Sequence, residues 1–161
     1  MNIESLQLLA LIIIANGAPI VIHVLLKDIF NTAIDFGHKL PDNNPIFGDS
    51  KTWRGIIAAC ILTAAIAWLM GHSPQTGLLI AVYAVLGDLT SSFIKRRLGK
   101  PASSMAPLLD QIPESLFPAL MMAEAFNLEI SSIIQLVLIF IIIELLLSRV
   151  LYKWGVRKRP Y

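Results

Sequence analysis

Asp88, Ser91, Ser92 and Lys95 stand at i, i+3, i+4 and i+7 within GDLTSSFIKRR, the stretch from Gly87 to Arg97. On a helix this spacing gathers a carboxylate, two hydroxyls and an ammonium on one face, while Phe93 and Ile94 point elsewhere. The stretch follows the apolar run from Gly77 to Leu86 without a break, so it reads as the end of a helix leaving a membrane. A carboxylate in an apolar span costs about 2.5 to 3.5 kcal/mol on insertion scales at mid-bilayer unless something compensates it. Snorkelling cations at a solvated helix end account for Lys95, Arg96 and Arg97. They do not account for Asp88 with two hydroxyls one turn on, which marks a site.

Two more stretches carry matching chemistry. Gly48-Asp49-Ser50-Lys51-Thr52-Trp53-Arg54-Gly55 offers backbone N–H groups, two hydroxyls and two cations just before a helix begins. A helix N-terminus with unpaired donors favours anions, and Lys51 and Arg54 strengthen that preference for phosphates. It is not a Walker A loop, because GDSKT lacks the first glycine of that pattern and no strand precedes it. The competing reading is a capped span with ordinary cytoplasmic positive charges. Pro107-Leu108-Leu109-Asp110-Gln111 adds a second carboxylate before another apolar segment. Two hard oxygen ligands, Asp88 and Asp110, flanking a cationic loop are what Mg²⁺ with a polyphosphate needs. His23, His38 and His72 are isolated from any hydroxyl or thiol nucleophile and read as satisfied polar residues.

The elements that must position these groups are apolar helices. Of 161 residues, 56% are hydrophobic and 15% charged, with a mean hydropathy of +0.71. A soluble domain of this length carries nearer 25% charged residues, so the class is an all-α polytopic membrane protein. About five transmembrane helices are expected: Leu6–Leu26, Gly55–Met70, Gly77 to about Ile94, Ile112–Phe126 and Ile133–Leu151. They form one domain over residues 1–161, with polar loops at 27–54 and 95–111. All 13 Lys and Arg fall in those two loops or in the tail from Arg149 onward. The positive-inside rule then puts the N-terminus outside and the C-terminus in the cytoplasm, with both loops on the side where nucleotides are found. The acidic N-terminal segment, with Glu4 and a long apolar run, is not a cleavable signal peptide. Cys60, the single cysteine, excludes an internal disulfide. The tail from Lys153 to Arg159 reads as an anionic-lipid anchor, not a nucleic-acid patch. Asn16, beside Pro19 in span one, reads either as lining a polar cavity or as bonded within a kinked helix. Glu114, Glu124 and Glu144 are intramembrane or flanking acids with no assigned role.

These residues resemble a family. GDLTSSFIKRRLGKP followed by LLDQI is similar to the CDP-archaeol synthases and, more distantly, to the CDP-diacylglycerol synthase signature. Asn16-Gly17-Ala18-Pro19, Asp35-Phe36-Gly37 and the Gly48–Gly55 block also resemble the archaeal pattern. Gln111 stands where the bacterial synthases carry an arginine. The resemblance implies transfer of CMP from CTP to a membrane-embedded lipid phosphate, with Mg²⁺, releasing pyrophosphate at the cell membrane. It implies Asp88 and Asp110 as metal ligands, Ser92, Lys95 and Arg96 as phosphate contacts, and Lys51 and Arg54 as further anion contacts. Thr52, Ser91 and Arg97 complete the nucleotide-binding candidates; the catalytic set is Asp88, Lys95 and Asp110. A homo-oligomer is compatible with this reading. Two alternatives remain open: a CTP-using lipid or polyprenol kinase, and a small non-enzymatic transporter or assembly subunit.

Overall fold

Five helices follow one another, and the computed structural model describes residues 2–101, 104 and 106–155. They are α1 (Ile3–Leu26), α2 (Trp53–Leu69), α3 (Pro74–Arg97), α4 (Gln111–Met121) and α5 (Ile130–Lys153). Side chains begin most of them as the sequence allows. Asn2 accepts from the Ser5 N–H, Thr52 from Gly55 and Ser73 from Thr76, with Pro74 in the first turn of α3. Three of the five, α1, α3 and α5, are long and apolar enough to cross a membrane. Their outer faces, including Leu25, Leu78, Leu138 and Leu146, stay exposed as lipid-facing surfaces do.

Contacts between helix ends show an up-and-down bundle. Arg54 at the start of α2 bonds His23 late in α1, and His72 beyond α2 meets Gln7 at the start of α1. Asp110, just before α4, meets Lys95 late in α3, and Asn127 beyond α4 bonds Glu4 in α1. The core is accordingly lopsided. Leu8, Leu11 and Ile12 of α1, Ile80 of α3, Ala119, Met122 and Phe126 around the end of α4, and Ile133, Leu136 and Phe140 of α5 form one cluster. All lie toward the end of the bundle opposite the polar loops, so apolar packing holds one half and polar contacts hold the other.

Two sequence expectations change here. The fourth span, expected over Ile112–Phe126, is a helix of 11 residues. At 1.5 Å per residue it is about 16 Å long, short of a ~30 Å hydrocarbon core. Pro118 lies inside it, and the chain turns at once beyond Met121, burying Met122 and Phe126. Secondly, the third span, expected from Gly77 to about Ile94, is longer at both ends, running from Pro74 to Arg97. This leaves Asp88 roughly 13 Å inside the C-terminal end of α3. The site is set into the bundle. Residues 156–161 of the basic tail lie outside the described residues.

Candidate functional site

Helix α3 is where the site begins, and the helical spacing holds: Ser91, Ser92, Lys95 and Arg96 are all buried, while Phe93 and Ile94 are exposed. Gly87 decides what faces them. A Cβ there would stand 2.1 Å from the Pro113 carbonyl oxygen, so only glycine lets α3 touch the start of α4. That contact brings Glu114 close to Asp88, and Glu114 acts on Lys51 through charge. Glu114 was not among the expected site residues. Its signal was the spacing Gln111, Glu114, Ser115 and Pro118, one helix face that the structure buries.

The loop between α1 and α2 delivers Lys51. Asp35 ties this loop together, its Oδ2 accepting from Phe47 and Gly48 N–H at 2.9 Å each and its Oδ1 from Gly37 at 3.1 Å. Ala33 bridges to Thr52 across the loop's ends. Lys51 Nζ then grips both carboxylate oxygens of Asp88 at 2.5 Å. Burial works against the ammonium charge, but Asp88, and after it Glu114 and Asp110, outweigh burial and hold the Lys51 pKa above its ordinary value. A second pair lies alongside. Lys95 Nζ sits 2.7 Å from Asp110 Oδ1 and 3.1 Å from the Ser104 carbonyl. The pairs are near enough that Lys95 acts on Asp88, and Asp110 on Lys51, through charge. Asp88 and Asp110 are thus brought into one cluster, each held by a lysine.

Other expected residues are distributed unevenly. Arg96 is 3% exposed, and its Nε and Nη1 have no hydrogen-bond partner among the described residues. A buried guanidinium with unused donors has hydrogen bonds left to give. Ser91 Oγ donates to the Asp88 carbonyl at 2.9 Å, and Thr52 caps α2. Arg54 is committed to the chain itself: it donates to the Ile29 carbonyl, to His23 Nδ1 at 2.9 Å and to Asn31 Oδ1 at 2.8 Å. Those bonds clamp the start of α2 to the end of α1. Arg97 is likewise occupied, pairing with Asp42 at 2.9 Å, donating to the Asn44 and Pro45 carbonyls and lying over the Phe93 ring. His23, His38 and His72 all have partners, as expected of satisfied polar residues.

Among the described residues no group of three or more His, Cys, Asp or Glu side chains is arranged to hold a metal ion. The cluster offers carboxylates in pairs with lysines, and Mg²⁺ is commonly held by one or two carboxylates and completed by substrate phosphates and water. The donor set fits a metal that arrives with a nucleotide, not one caged by protein alone.

Comparison with known proteins shows the family. The CDP-archaeol synthase family model matches residues 69–161, more than half of the chain. The chain belongs to that family. A general cytidylyltransferase family model also matches residues 20–107, which places the Asp35 loop, Lys51 and the α3 face within CTP-using cytidylyltransferases. The CDP-archaeol synthase of Hyperthermus butylicus is 37% identical over 116 residues, 68% of this chain and 66% of that one, just under two thirds of its length. That of Pyrobaculum arsenaticum is 30% identical over 153 residues, 92% of each. A solved structure, described as an intramembrane enzyme for archaeal membrane lipid biosynthesis, superposes with a TM-score of 0.77 at 28% identity. It covers 92% of this chain and 94% of its own.

Proposed function

We propose that this family member transfers CMP from CTP to a lipid phosphate bearing ether-linked isoprenoid chains, giving a CDP-lipid and pyrophosphate. The observation that carries the proposal is the partly buried cluster of two Asp–Lys pairs, with Arg96 Nε and Nη1 left without hydrogen-bond partners among the described residues. The ether-lipid acceptor is supported by the relatives' name, CDP-archaeol synthase.

The reaction needs little from the protein beyond charge and geometry. A phosphate oxygen of the lipid attacks the α-phosphorus of CTP, a new P–O bond forms, and the bond to the β-phosphate oxygen breaks as pyrophosphate leaves. A lipid phosphate is already anionic, so no general base is required, and catalysis is positioning and charge neutralisation. Lys51 and Lys95 exchange their carboxylate partners, in part, for phosphate oxygens, and Arg96 fills its free donors on the nucleotide. Asp88 and Asp110 would hold Mg²⁺, which supplies neutralisation of the developing charge on the leaving group. The cluster faces the cytoplasm, where CTP is available, and the protein is a multi-pass protein of the cell membrane. Its depth along α3 lets the lipid keep its chains in the bilayer while its headgroup reaches the nucleotide.

Pyrophosphate release measured over a panel of lipid phosphates, with CTP and varied Mg²⁺, tests this. Turnover should require CTP and Mg²⁺ and be greatest with the isoprenoid ether lipid phosphate. Asp88→Asn and Asp110→Asn should each remove most activity, and the double variant should cost far less than the sum, as for groups acting as a unit. Unaltered turnover and metal dependence in either single variant would remove that carboxylate from the site.

A further inference from the structure

Asp110 precedes α4, yet its carboxylate does not cap that helix. It is turned back, with Oδ2 accepting from the Ala106 N–H at 3.1 Å and Oδ1 facing Lys95. Something must hold the chain in the shape that turns it. The turn is closed by Asp110 N–H to the Ala106 carbonyl and Ile112 N–H to the Leu108 carbonyl, and Leu108 occupies the left-handed region at φ +68°. A branched residue without glycine's freedom stays there only when its surroundings over-determine it.

Gln111 supplies that constraint. It is 1% exposed, and both ends of its amide are used. Oε1 accepts from the Leu108 N–H at 2.8 Å, and Nε2 donates to Glu144 Oε2 of α5 at 2.6 Å. The amide has one possible orientation here, since the Leu108 N–H can only donate and a carboxylate only accept. Ser115 Oγ fixes the Gln111 main chain by donating to its carbonyl at 2.7 Å. Glu144, half-buried, lies on the face of α5 that carries Ile133, Leu136 and Phe140, and Ser148 donates to its Oε1 at 3.4 Å. A carboxylate at this depth in an otherwise apolar helix is costly to maintain without a use.

We infer that Gln111 and Glu144 are a positioning pair for the reaction: Glu144 orients the Gln111 amide, Gln111 holds Leu108, and the turn so held aims the Asp110 carboxylate at Lys95. Neither residue touches substrate. The inference rests on the reading of Asp110 as a site carboxylate, and it predicts a pattern that simple loss of α4–α5 cohesion does not.

Glu144→Leu and Gln111→Met remove the bond in two ways, the second keeping length and neutrality so that folding is retained. Each should lower kcat about 10- to 100-fold, the range for groups that support a metal ligand. Each should also raise the Mg²⁺ needed for half-maximal turnover and leave KM for the lipid phosphate unchanged. Glu144→Gln, which keeps an acceptor for Nε2, should restore kcat. Independently of turnover, hydrogen exchange over residues 106–112 should quicken in the first two variants and match wild type in the third. Wild-type kcat in Gln111→Met overturns the inference, as does Glu144→Gln being as slow as Glu144→Leu. If the wild-type protein performs no CMP transfer, the reaction reading fails. Exchange then decides the pair alone, and unchanged 106–112 exchange in Glu144→Leu overturns it.

Discussion

Three charged side chains that the positive-inside pattern would leave in water, Arg54, Lys95 and Arg96, are instead buried. Each has a different use. Arg54 is spent on structure, Lys95 on Asp110, and Arg96 keeps unused donors among the described residues. Asp35 is the acidic counterpart, a buried carboxylate that closes a polar loop with three backbone N–H groups. Burial disfavours its charge, but the bonds from Gly48, Phe47 and Gly37 outweigh burial and hold its pKa below the ordinary aspartate value. With a depressed folded-state pKa, the stabilisation is complete above the unfolded value of about 3.9 and fades as pH falls through the folded one. Protease resistance of residues 33–52 should therefore be flat from pH 8 to 5 and fall only below about pH 4. Asp35→Asn should lose about 1–3 kcal/mol of loop stability at neutral pH. Loosening of the wild-type loop between pH 7 and 5 would show that another group controls it.

At the scale of elements, the short α4 and the glycine that receives it decide the site. The start of α4 carries Gln111, Glu114 and Ser115 on its buried face, and it meets α3 at Gly87, one residue before Asp88. Any side chain at Gly87 meets backbone of residue 113, which cannot rotate away. Gly87→Ala should push the helices apart, separating Glu114 from Asp88. CMP transfer should fall by at least tenfold, the loss expected for roughly 1.4 kcal/mol of lost transition-state stabilisation. Thermal stability in detergent should fall as well. Gly17→Ala, where a Cβ meets nothing within 4 Å, is the control and should behave as wild type. Equal activity in the two variants would mean that close α3–α4 packing is not needed.

The whole molecule divides along its depth. Large apolar side chains pack one half, and small residues let α1, α2 and α3 approach in the other: Ala15, Ala81 and Ala84, with Cys60 against them. This second half holds every paired site charge. The distribution of Lys and Arg predicts its orientation, which labelling can test. Gln75→Cys in a Cys60→Ala background should react with an impermeant thiol reagent applied outside intact cells. Ser50→Cys should react only after the membrane is opened. The opposite pattern would put the cluster on the wrong side for CTP.

The class, the three long apolar helices and the shared face of α3 were legible in the chain itself, because each depends on local chemistry. Twenty apolar residues in a row specify a membrane helix whatever surrounds them, and Asp88, Ser91, Ser92 and Lys95 share a face by helical geometry alone. Thr52 and Ser73 sit at helix starts for the same local reason. Tertiary structure decided which charge meets which. Nothing in the order of residues says that Lys51 takes Asp88 while Lys95 takes Asp110, or that Arg54 turns to His23 and Asn31 while Arg96 keeps donors unused among the described residues. Those choices depend on how closely α3 and α4 approach at Gly87, and on where the Asp35 loop comes to rest. Glu114 and Glu144 acquired partners for the same reason. A buried charge is stabilised by whatever lies within a few ångströms of it, and that distance is set only once the helices have packed.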